Sequence, residues 1–409
     1  MNPHTTSAQQ VVVVTEHFSP AIGATAQLVT DLVDILSLTH NITVVTATPS
    51  CFSGRSKYSV VRLGTSSKAS TNVLKKAFDG LSFLLQATVW LFKHSSSSTI
   101  LLLVSNPPFI GALGVLLRLL KSSKYIYLLQ DLFPRSAVLT GVLPAKGPIT
   151  YFWTSLMSVV LSTSSHIIVL NENMKKRCSK DFHLPGNKIT SIDNWAVECA
   201  SSVSKADNPV AIKWNLTRTF TVQYSGNFGR LHDMLTILES CRLLSHKPIK
   251  FTFIGDGAKR TQILRYIEHY NLENVSLYPY QSRSDLTFSL GACDVSVISI
   301  IPGSEDTVAP SKFFGIIASG KPVLFIGNPT SDIAQLLSDY QCGLSIPPGD
   351  PAALSQAILH LSENPKRVEQ LGLNAKELYR LRFSPVISAE AYSKIINNLN
   401  LYHALLMSW

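Results

Sequence analysis

The sequence predicts an α/β protein made of two doubly wound parallel-sheet domains in tandem. Short apolar runs such as Val11–Val14 and Ile100–Val104 are typical of strands buried on both faces of a sheet. Helical segments alternate with these runs, which indicates β-α-β units. The same alternation begins again at Phe220–Tyr224. A chain of 409 residues is also too long for one hydrophobic core, so two domains are expected.

The first domain is predicted over residues 1–195. The loop after its first strand contains Gly23, and the loop after a later strand contains Asp131. Its predicted strands lie at 11–14, 42–46, 60–63, 100–104, 125–129 and 166–170, and its helices at 25–38, 73–93, 107–120 and 174–182.

The second half is predicted to consist of a linker, a second domain and a final helix. Residues 196–217 are polar and show no periodicity, which favours a linker. The second domain is placed at 218–385, and residues 386–409 are expected to form a helix that packs back toward the first domain. The predicted strands lie at 220–224, 249–254, 275–278, 295–300 and 323–326, and the helices at 234–244, 260–270 and 284–291, with one more helix that Pro310 and Ser311 begin and Gly320 ends.

Composition excludes several classes of protein. Apolar residues make up 45% of the chain and charged residues 15%, which is typical of a globular protein and excludes disorder. The six cysteines form no CxxC pair, so neither a zinc site nor a disulfide framework is expected, and no metal ligands are predicted. The polar first ten residues do not suggest a secretory signal, and no apolar segment is long enough to span a membrane. These features fit a reducing cytosol.

The positive charge is concentrated in the first half. Residues 1–195 contain 17 Lys and Arg against 8 Asp and Glu, whereas the rest of the chain is nearly balanced. Such an excess suggests an anionic membrane surface or an anionic ligand, although it can also be a solvated excess without a partner. Nucleic acid is not favoured, because no module that binds it is evident. The predicted helix 73–93 either lies on a membrane or packs on the sheet.

Several polar or glycine-rich segments follow predicted strands, where open α/β sheets bind ligands. Gly23 permits close approach of a ligand to the backbone, or is a turn glycine. Asp131 is a candidate ligand contact, or caps the next helix. Lys312 falls in the first turn of a predicted helix, where a cation is unfavourable unless an anion such as phosphate also binds. A surface lysine on a loop is the alternative.

The order of these segments resembles the family 4 retaining glycosyltransferases of GT-B fold. In the second half the resemblance rests on the segments 225–230, 253–257, 278–281 and 292–294 and on the run from Pro310 to Pro322. In the first half, the segments 18–23, 105–108, 130–134 and 194–195 are similar to the WbuB-like branch, which builds O-antigen, colanic acid and other surface polysaccharides. The resemblance implies two Rossmann-like domains that face each other across a cleft, with the donor on the second domain and the acceptor on the first.

The resemblance also implies roles for particular residues. A nucleotide-diphosphate sugar, with UDP as the expected nucleotide, is the donor substrate, and no cofactor is expected. Arg230 and Lys312 would hold the diphosphate, and the base would lie beside Tyr280 and Gln281. The implied catalytic residues are Asp131, Glu305, Arg230 and Lys312, and the implied binding residues are Gly23, Gly226, Asn227, Gly229, Gly255, Asp256, Tyr280, Gln281 and Ser311.

The chain departs from its relatives at three places. Many relatives carry two glutamates separated by seven residues, and the equivalent positions here are Thr307 and Gly315, with Glu305 close to the first. Arg135 replaces a glutamate after the Asp131 segment, which would affect acceptor choice. The lysine often found after the arginine at position 230 is replaced by a segment that contains His232. Lys312 is therefore the expected second cation.

The predicted function is transfer of a sugar to a polyprenyl-linked or saccharide acceptor, with retention of configuration. The expected location is the cytoplasmic, inner face of the plasma membrane, with peripheral attachment to anionic lipid. Two alternatives stay open at this point. The chain could be a non-catalytic GT-B protein that binds a nucleotide-sugar or a partner enzyme, or a GT-B nucleotide-sugar epimerase.

Overall fold

The computed structural model describes residues 10–21, 23–49, 57–64, 73–196, 203–307 and 311–407. The chain divides into two compact units. The first comprises Met1–Asp193 together with Pro385–Trp409, and the second comprises Asn194–Ser384. Each unit contains one parallel sheet with its own hydrophobic core. The predicted α/β class with two Rossmann-like domains is therefore confirmed.

The first sheet has seven strands in the order β3-β2-β1-β4-β5-β6-β7, and all neighbours are parallel. β1 is central because its run of valines is fully buried. Its register pairs Val11 with Ile42 on one side and with Ile100 on the other. The strands are β1 (Gln10–Thr15), β2 (Asn41–Thr46), β3 (Ser59–Arg62), β4 (Ile100–Val104), β5 (Lys124–Leu128), β6 (His166–Val169) and β7 (Ile189–Ser191).

Six helices connect these strands, and two of them, Arg135–Leu139 and Pro148–Thr163, were not predicted. The segment Pro148–Thr163 contains no Asp, Glu, Lys or Arg and is rich in β-branched and aromatic residues, so it has little helical polarity pattern. The helix predicted from Pro107 begins only at Gly111. The helices are α1 (Ala24–Leu36), α2 (Val73–His94), α3 (Gly111–Lys121), α4 (Arg135–Leu139), α5 (Pro148–Thr163) and α6 (Glu172–Phe182), and a 3₁₀ turn spans Gly186–Lys188.

The second sheet has six parallel strands in the order β10-β9-β8-β11-β12-β13. As in the first sheet, the chain starts near the middle and then winds outward in both directions. The strands are β8 (Phe220–Ser225), β9 (Ile249–Ile254), β10 (Val275–Tyr278), β11 (Val295–Ser299), β12 (Val323–Ile326) and β13 (Gly343–Ile346).

The second unit contains eight helices within its described residues. They are α7 (Pro209–Lys213), α8 (Met234–Leu243), α9 (Arg260–Tyr270), α10 (Arg283–Gly291), α11 (Lys312–Ala318), α12 (Asp332–Tyr340), α13 (Pro351–Glu363) and α14 (Pro365–Arg382).

The stretch predicted as a linker contains helix α7. The Asn208 side chain caps this helix by accepting hydrogen bonds from the backbone N–H groups of Val210 and Ala211, at 2.9 and 3.1 Å. Both capped residues are buried, and α7 packs on α10. The polar composition of the stretch therefore conceals a short packed element.

The C-terminal helix, Pro385–Met407, belongs to the first unit. It packs against α1, and His40 Nε2, between α1 and β2, lies 3.3 Å from Asn397 Oδ1. Lys124 Nζ also donates a hydrogen bond to the carbonyl oxygen of Leu399. Among the described helices of both units, none combines the length and apolarity that a membrane span needs.

Candidate donor-binding site in the second unit

Two glycine-containing loops lie side by side at the carboxyl ends of β8 and β9. Gly226 adopts φ +130° and Gly255 adopts φ +137°, a region that residues with a Cβ rarely adopt. A Cβ on Gly255 would lie 2.1 Å from the carbonyl oxygen of Gly226, and one on Gly257 would lie 2.4 Å from Asn227 Oδ1. Only glycine allows the two loops to approach this closely.

Backbone hydrogen bonds hold the two loops together. The N–H of Gly226 donates to Ile254, and the N–H of Phe228 donates to Asp256, each at 2.8 Å. Since Phe228 is fully buried, it anchors the first loop in the core of the unit. The loop Ser225–Arg230 is therefore a fixed platform at the end of the sheet.

The Lys312 side chain contacts this platform at Gly226. Its chain is in contact with Gly226, because a Cβ added there would lie 2.6 Å from Lys312 Cε. The Lys312 ammonium lies 3.1 Å from His232 Nε2 and 5.2 Å from the centre of the Tyr224 ring. His232 Nδ1 lies 2.6 Å from the carbonyl oxygen of Ser299. The cation is thus held by an imidazole and an aromatic face.

The electrostatics of this cluster favour an anionic ligand. Burial lowers the pKa of Lys312 to about 7. Burial, followed by the positive charge of Lys312, lowers the pKa of His232 to about 3, so this ring is neutral. Across the described ranges, which omit residues 308–310, no carboxylate pairs with Lys312. A phosphate would supply the missing counter-charge.

Helix α11 begins at Lys312 without a capping side chain. It has only seven residues, and Ser311 before it already has helical backbone angles, φ −54° and ψ −23°. The Ser311 side chain forms no capping hydrogen bond. Pro310 lies outside the described residues. The contribution of this segment is the Lys312 side chain.

The loop after β11 comes close to the end of the glycine loop. Its Ile301 N–H donates to the carbonyl oxygen of Leu231 at 3.0 Å. Arg230 is exposed beside this contact. Glu305 lies further along the same loop, and its buried Oε1 atom has no hydrogen-bond partner among the described residues. Buried carboxylate oxygens normally have a partner, so Glu305 Oε1 is a candidate acceptor for a ligand hydroxyl.

Tyr280 and Gln281 lie on the loop after β10. The Tyr280 hydroxyl lies 3.3 Å from the carbonyl oxygen of Asp256, and its ring is next to Gly255. Gln281 Nε2 donates to Pro279 at 2.7 Å. The Asp256 side chain accepts a hydrogen bond from the N–H of Gly257 and lies 3.8 Å from Arg260. This loop therefore borders the glycine loops, and the Tyr280 ring is half exposed.

Two predicted site residues, Gly23 and Asp131, belong to the first unit. Asp131 follows β5, and burial raises its pKa to about 6. Gly23 precedes α1 with φ −75°, and nothing lies within 4 Å of an added Cβ. The Gly23 backbone therefore does not itself require glycine. Three or more His, Cys, Asp or Glu side chains that could hold a metal do not cluster anywhere in the described parts of either unit.

His232 is the member of the cluster that sequence reasoning missed. It was noted only as part of a segment that replaces a lysine. Its neighbour Asp233 caps α8 by accepting a hydrogen bond from the N–H of Thr236 at 3.1 Å. That cap signal predicts where α8 begins, but the pairing of His232 with Lys312 spans 80 positions of sequence and has no local signal.

The family comparison agrees with this site. Residues 211–378, which contain the glycine loops, Lys312 and Glu305, match the family model for glycosyl transferases group 1. The chain carries a glycosyl transferases group 1 domain. It is 27% identical to the probable glycosyltransferase WbjE of Pseudomonas aeruginosa, over 78% of this chain and 80% of that protein.

Solved glycosyltransferases share its fold. The structure of HepE from Anabaena in complex with UDP superposes with a TM-score of 0.71 at 12% identity, covering 95% of this chain and all of HepE. WaaG, a glycosyltransferase involved in lipopolysaccharide biosynthesis, has a TM-score of 0.67 at 13% identity, with coverage of 94% and 99%. The predicted GT-B fold class is therefore confirmed.

Proposed function

We propose that this glycosyltransferase takes a sugar from a UDP-sugar and transfers it, with retention, to a polyprenyl-linked or saccharide acceptor in surface polysaccharide biosynthesis. The observation that carries the donor assignment is the buried Lys312 ammonium, which lies beside Gly226 of the glycine loop and has no carboxylate partner among the described residues. HepE binds UDP, and WaaG acts in lipopolysaccharide biosynthesis. Both names support this choice of donor and pathway class.

Each candidate residue has a role in this proposal. Arg230 and Lys312 bind the diphosphate through charge-assisted hydrogen bonds. Negative charge grows on the leaving diphosphate in the transition state, so these cations contribute most to the rate. Tyr280 and Gln281 border the base, and Glu305 accepts hydrogen bonds from the sugar hydroxyls. Gly226, Asn227, Gly229, Gly255 and Asp256 shape the loops, Ser311 precedes Lys312, and Gly23 and Asp131 serve the acceptor in the first unit.

A transfer assay separates this proposal from its alternatives. The protein is incubated with UDP-glucose, UDP-galactose, UDP-GlcNAc and UDP-GalNAc, each with and without a polyprenyl-diphosphate sugar acceptor. We expect UDP release that requires the acceptor, and a lipid-linked product with the anomeric configuration of the donor. Binding without turnover would favour a non-catalytic protein, and a free 2-epimerised sugar would favour an epimerase.

Glu305 offers a test of the donor-sugar contact. We expect Glu305→Gln to lower kcat by roughly tenfold, because an amide offers one acceptor oxygen where the carboxylate offers two. UDP alone should bind as tightly as to the wild type, since it has no donor sugar. The exposed Glu363→Gln is the matched control. An unchanged kcat for Glu305→Gln would mean that this side chain does not contact the donor sugar.

Asp131 offers a test in the first unit. Its pKa of about 6 lies above the ordinary value because burial disfavours the charged form. The carboxylate therefore costs stability at pH above 6, and this cost disappears as the pH falls below about 4. We expect Asp131→Asn to stabilise the protein at pH 8 by on the order of 1–3 kcal/mol while lowering transfer strongly.

The measurement for Asp131 combines melting curves at pH 4 and pH 8 with the transfer rate. Glu390→Gln, at an exposed position of the C-terminal helix in the same unit, is the control and should change neither. A variant with normal transfer, or one that is less stable at pH 8, would contradict this account of Asp131.

We also propose that the first unit attaches to the membrane surface through α2. One face of this helix is buried in the core through Phe83, Ala87 and Leu91. A second apolar face is exposed, so the helix both packs on the sheet and presents apolar residues outward. The exposed face comprises Phe78, Leu81, Leu85, Val89 and Phe92.

The surroundings of that face favour a membrane as its partner. Helix α3 lies next to α2 and exposes Leu119 and Leu120, with the Lys121 ammonium 4.7 Å from the centre of the Phe92 ring. Lys93 and Arg118 are exposed on the same two helices. Apolar side chains bordered by basic residues suit an interface with anionic lipid, where each cation contributes about 1 kcal/mol.

Vesicle co-sedimentation tests this attachment. We expect binding to vesicles that contain phosphatidylglycerol, with weaker binding to phosphatidylcholine alone and a decrease at high salt. The double variant Leu81→Ser with Leu85→Ser should bind roughly tenfold more weakly, because two leucines no longer enter the interface. Leu373→Ser, an exposed leucine of the second unit, is the control. If the double variant bound vesicles as tightly as Leu373→Ser does, α2 would not be the membrane-binding element.

A further inference from the structure

His232 is tied to the glycine loop and to the end of β11 at once. Its backbone N–H donates to the carbonyl oxygen of Gly229 at 3.2 Å, which fixes the ring relative to the loop. Its Nδ1 lies 2.6 Å from the carbonyl oxygen of Ser299. A carbonyl oxygen only accepts hydrogen bonds, so Nδ1 carries the proton. Nε2 is therefore the bare nitrogen, and it faces Lys312 at 3.1 Å.

This arrangement gives Lys312 an uncharged partner. The bare Nε2 accepts one proton of the ammonium, and the face of Tyr224 lies on another side at 5.2 Å. A carboxylate in place of His232 would hold the lysine as firmly but would cancel its charge, and an incoming phosphate would then have to displace it. An imidazole holds the cation without competing for it.

We propose that His232 is a positioning residue for Lys312, whose ammonium it holds with a neutral imidazole so that the positive charge stays available for the donor diphosphate. This inference rests on the donor site proposed above. Nothing in it requires His232 to touch the substrate. His232 instead sets the position and the protonation state of the Lys312 ammonium.

The charges around the pair are compatible with this role. Lys259 Nζ donates to the backbone carbonyl oxygen of His232, which adds positive charge near the ring and disfavours its protonation. Asp233 is engaged at the start of α8 through Thr236, and Arg230 is exposed on the loop. Tyr224 is buried, and burial raises the pKa of its phenol, so it stays neutral.

The arrangement predicts a particular pH dependence. The hydrogen bond from Lys312 to His232 favours the charged ammonium, so its loss should lower the pKa of Lys312 below about 7. Binding of a diphosphate weakens as pH rises through this pKa. Removal of the Nε2 acceptor should therefore move the midpoint to lower pH, by roughly one unit.

Two substitutions separate the hydrogen bond that the His232 ring donates to Ser299 from the one that it accepts from Lys312. His232→Asn keeps a donor near Nδ1, for Ser299, but has no atom at the place of Nε2. His232→Gln reaches that place with an amide oxygen, which accepts a hydrogen bond from Lys312. The test is titration calorimetry with UDP and with uridine, from pH 6 to pH 9. At each pH, the UDP affinity of the wild type and of each His232 variant is divided by the UDP affinity of Lys312→Met. Because UDP titrates equally in all these measurements, the ratio reports only the titration of Lys312.

We expect His232→Asn to bind UDP at least tenfold more weakly at pH 7 and to bind uridine within twofold of the wild type. His232→Gln should recover most of the loss. An equal loss for UDP and uridine, or no recovery in the Gln variant, would overturn the positioning role. If Lys312→Met weakens UDP binding and His232→Asn does not, only this inference fails. If Lys312→Met binds UDP normally, the donor site itself is wrong.

Nitrogen NMR of the wild-type protein provides a second measurement, which does not depend on a variant that folds. We expect His232 to stay neutral from pH 5 to pH 9, with its proton on Nδ1. A ring that becomes protonated near pH 6, or one that carries its proton on Nε2, would contradict the proposal.

Discussion

Lys312→Met should lower kcat/KM for sugar transfer by at least about 100-fold, which corresponds to roughly 3 kcal/mol of lost transition-state stabilisation. The ammonium lies under the glycine loop without a carboxylate partner in the described chain, so its charge is free for the leaving diphosphate. Methionine keeps the length and the packing of the side chain. The loss would therefore come from the missing charge.

The same variant should be more stable than the wild type. The pKa of Lys312 is lowered to about 7, so keeping it charged in the folded protein costs free energy at pH 6, and this cost falls as the pH rises above 7. Melting curves at pH 6 and pH 9 measure this effect, and the exposed Lys366→Met is the control for both assays. A variant with near-normal kcat/KM would contradict the role of Lys312 in donor binding.

Gly226→Ala should have an effect of similar size on transfer. Its φ of +130° is strained for alanine, and the new Cβ would lie 2.6 Å from Lys312 Cε. Since the glycine loop is held by the neighbouring loop, the lysine chain is the part that must move. We expect a loss of about 100-fold in kcat/KM and a destabilisation on the order of 1–3 kcal/mol.

Gly141→Ala separates the effect of backbone strain from the effect of the contact with Lys312. Gly141 also has a positive φ, of +70°, but nothing lies within 4 Å of an added Cβ. It should therefore show some destabilisation with normal transfer, as measured by melting curves and initial rates. If Gly226→Ala behaved in the same way, the contact between the loop and Lys312 would not matter for catalysis.

The sheets could be predicted from local pattern because their strands are buried on both faces. The run Val11–Val14 and the strand Ile249–Ile254 contain mostly apolar or β-branched residues, and helix α9 has a clear polarity period and lies where predicted. Helix α5 was missed because it lacks charged residues, and α7 because a polar stretch conceals it. Both need tertiary contacts to identify them.

The candidate site, too, could be predicted only in part from the sequence. The glycines at 226 and 255 are visible in sequence, since strand ends with glycine are where ligands approach a sheet. The environment of Lys312 is not, because it depends on His232 and Ser299, which lie on two other segments. A local pattern gives the position of a lysine but not its pKa, which follows from burial and from a partner distant in sequence.

A crystal structure of the protein with UDP tests the central claim most directly. The account predicts the β-phosphate within about 3.5 Å of the Lys312 ammonium and beside the loop Ser225–Arg230, with the base next to Tyr280. His232 should keep its contacts with Lys312 and Ser299. A diphosphate bound elsewhere, with Lys312 still buried and without an anionic partner, would contradict the donor site.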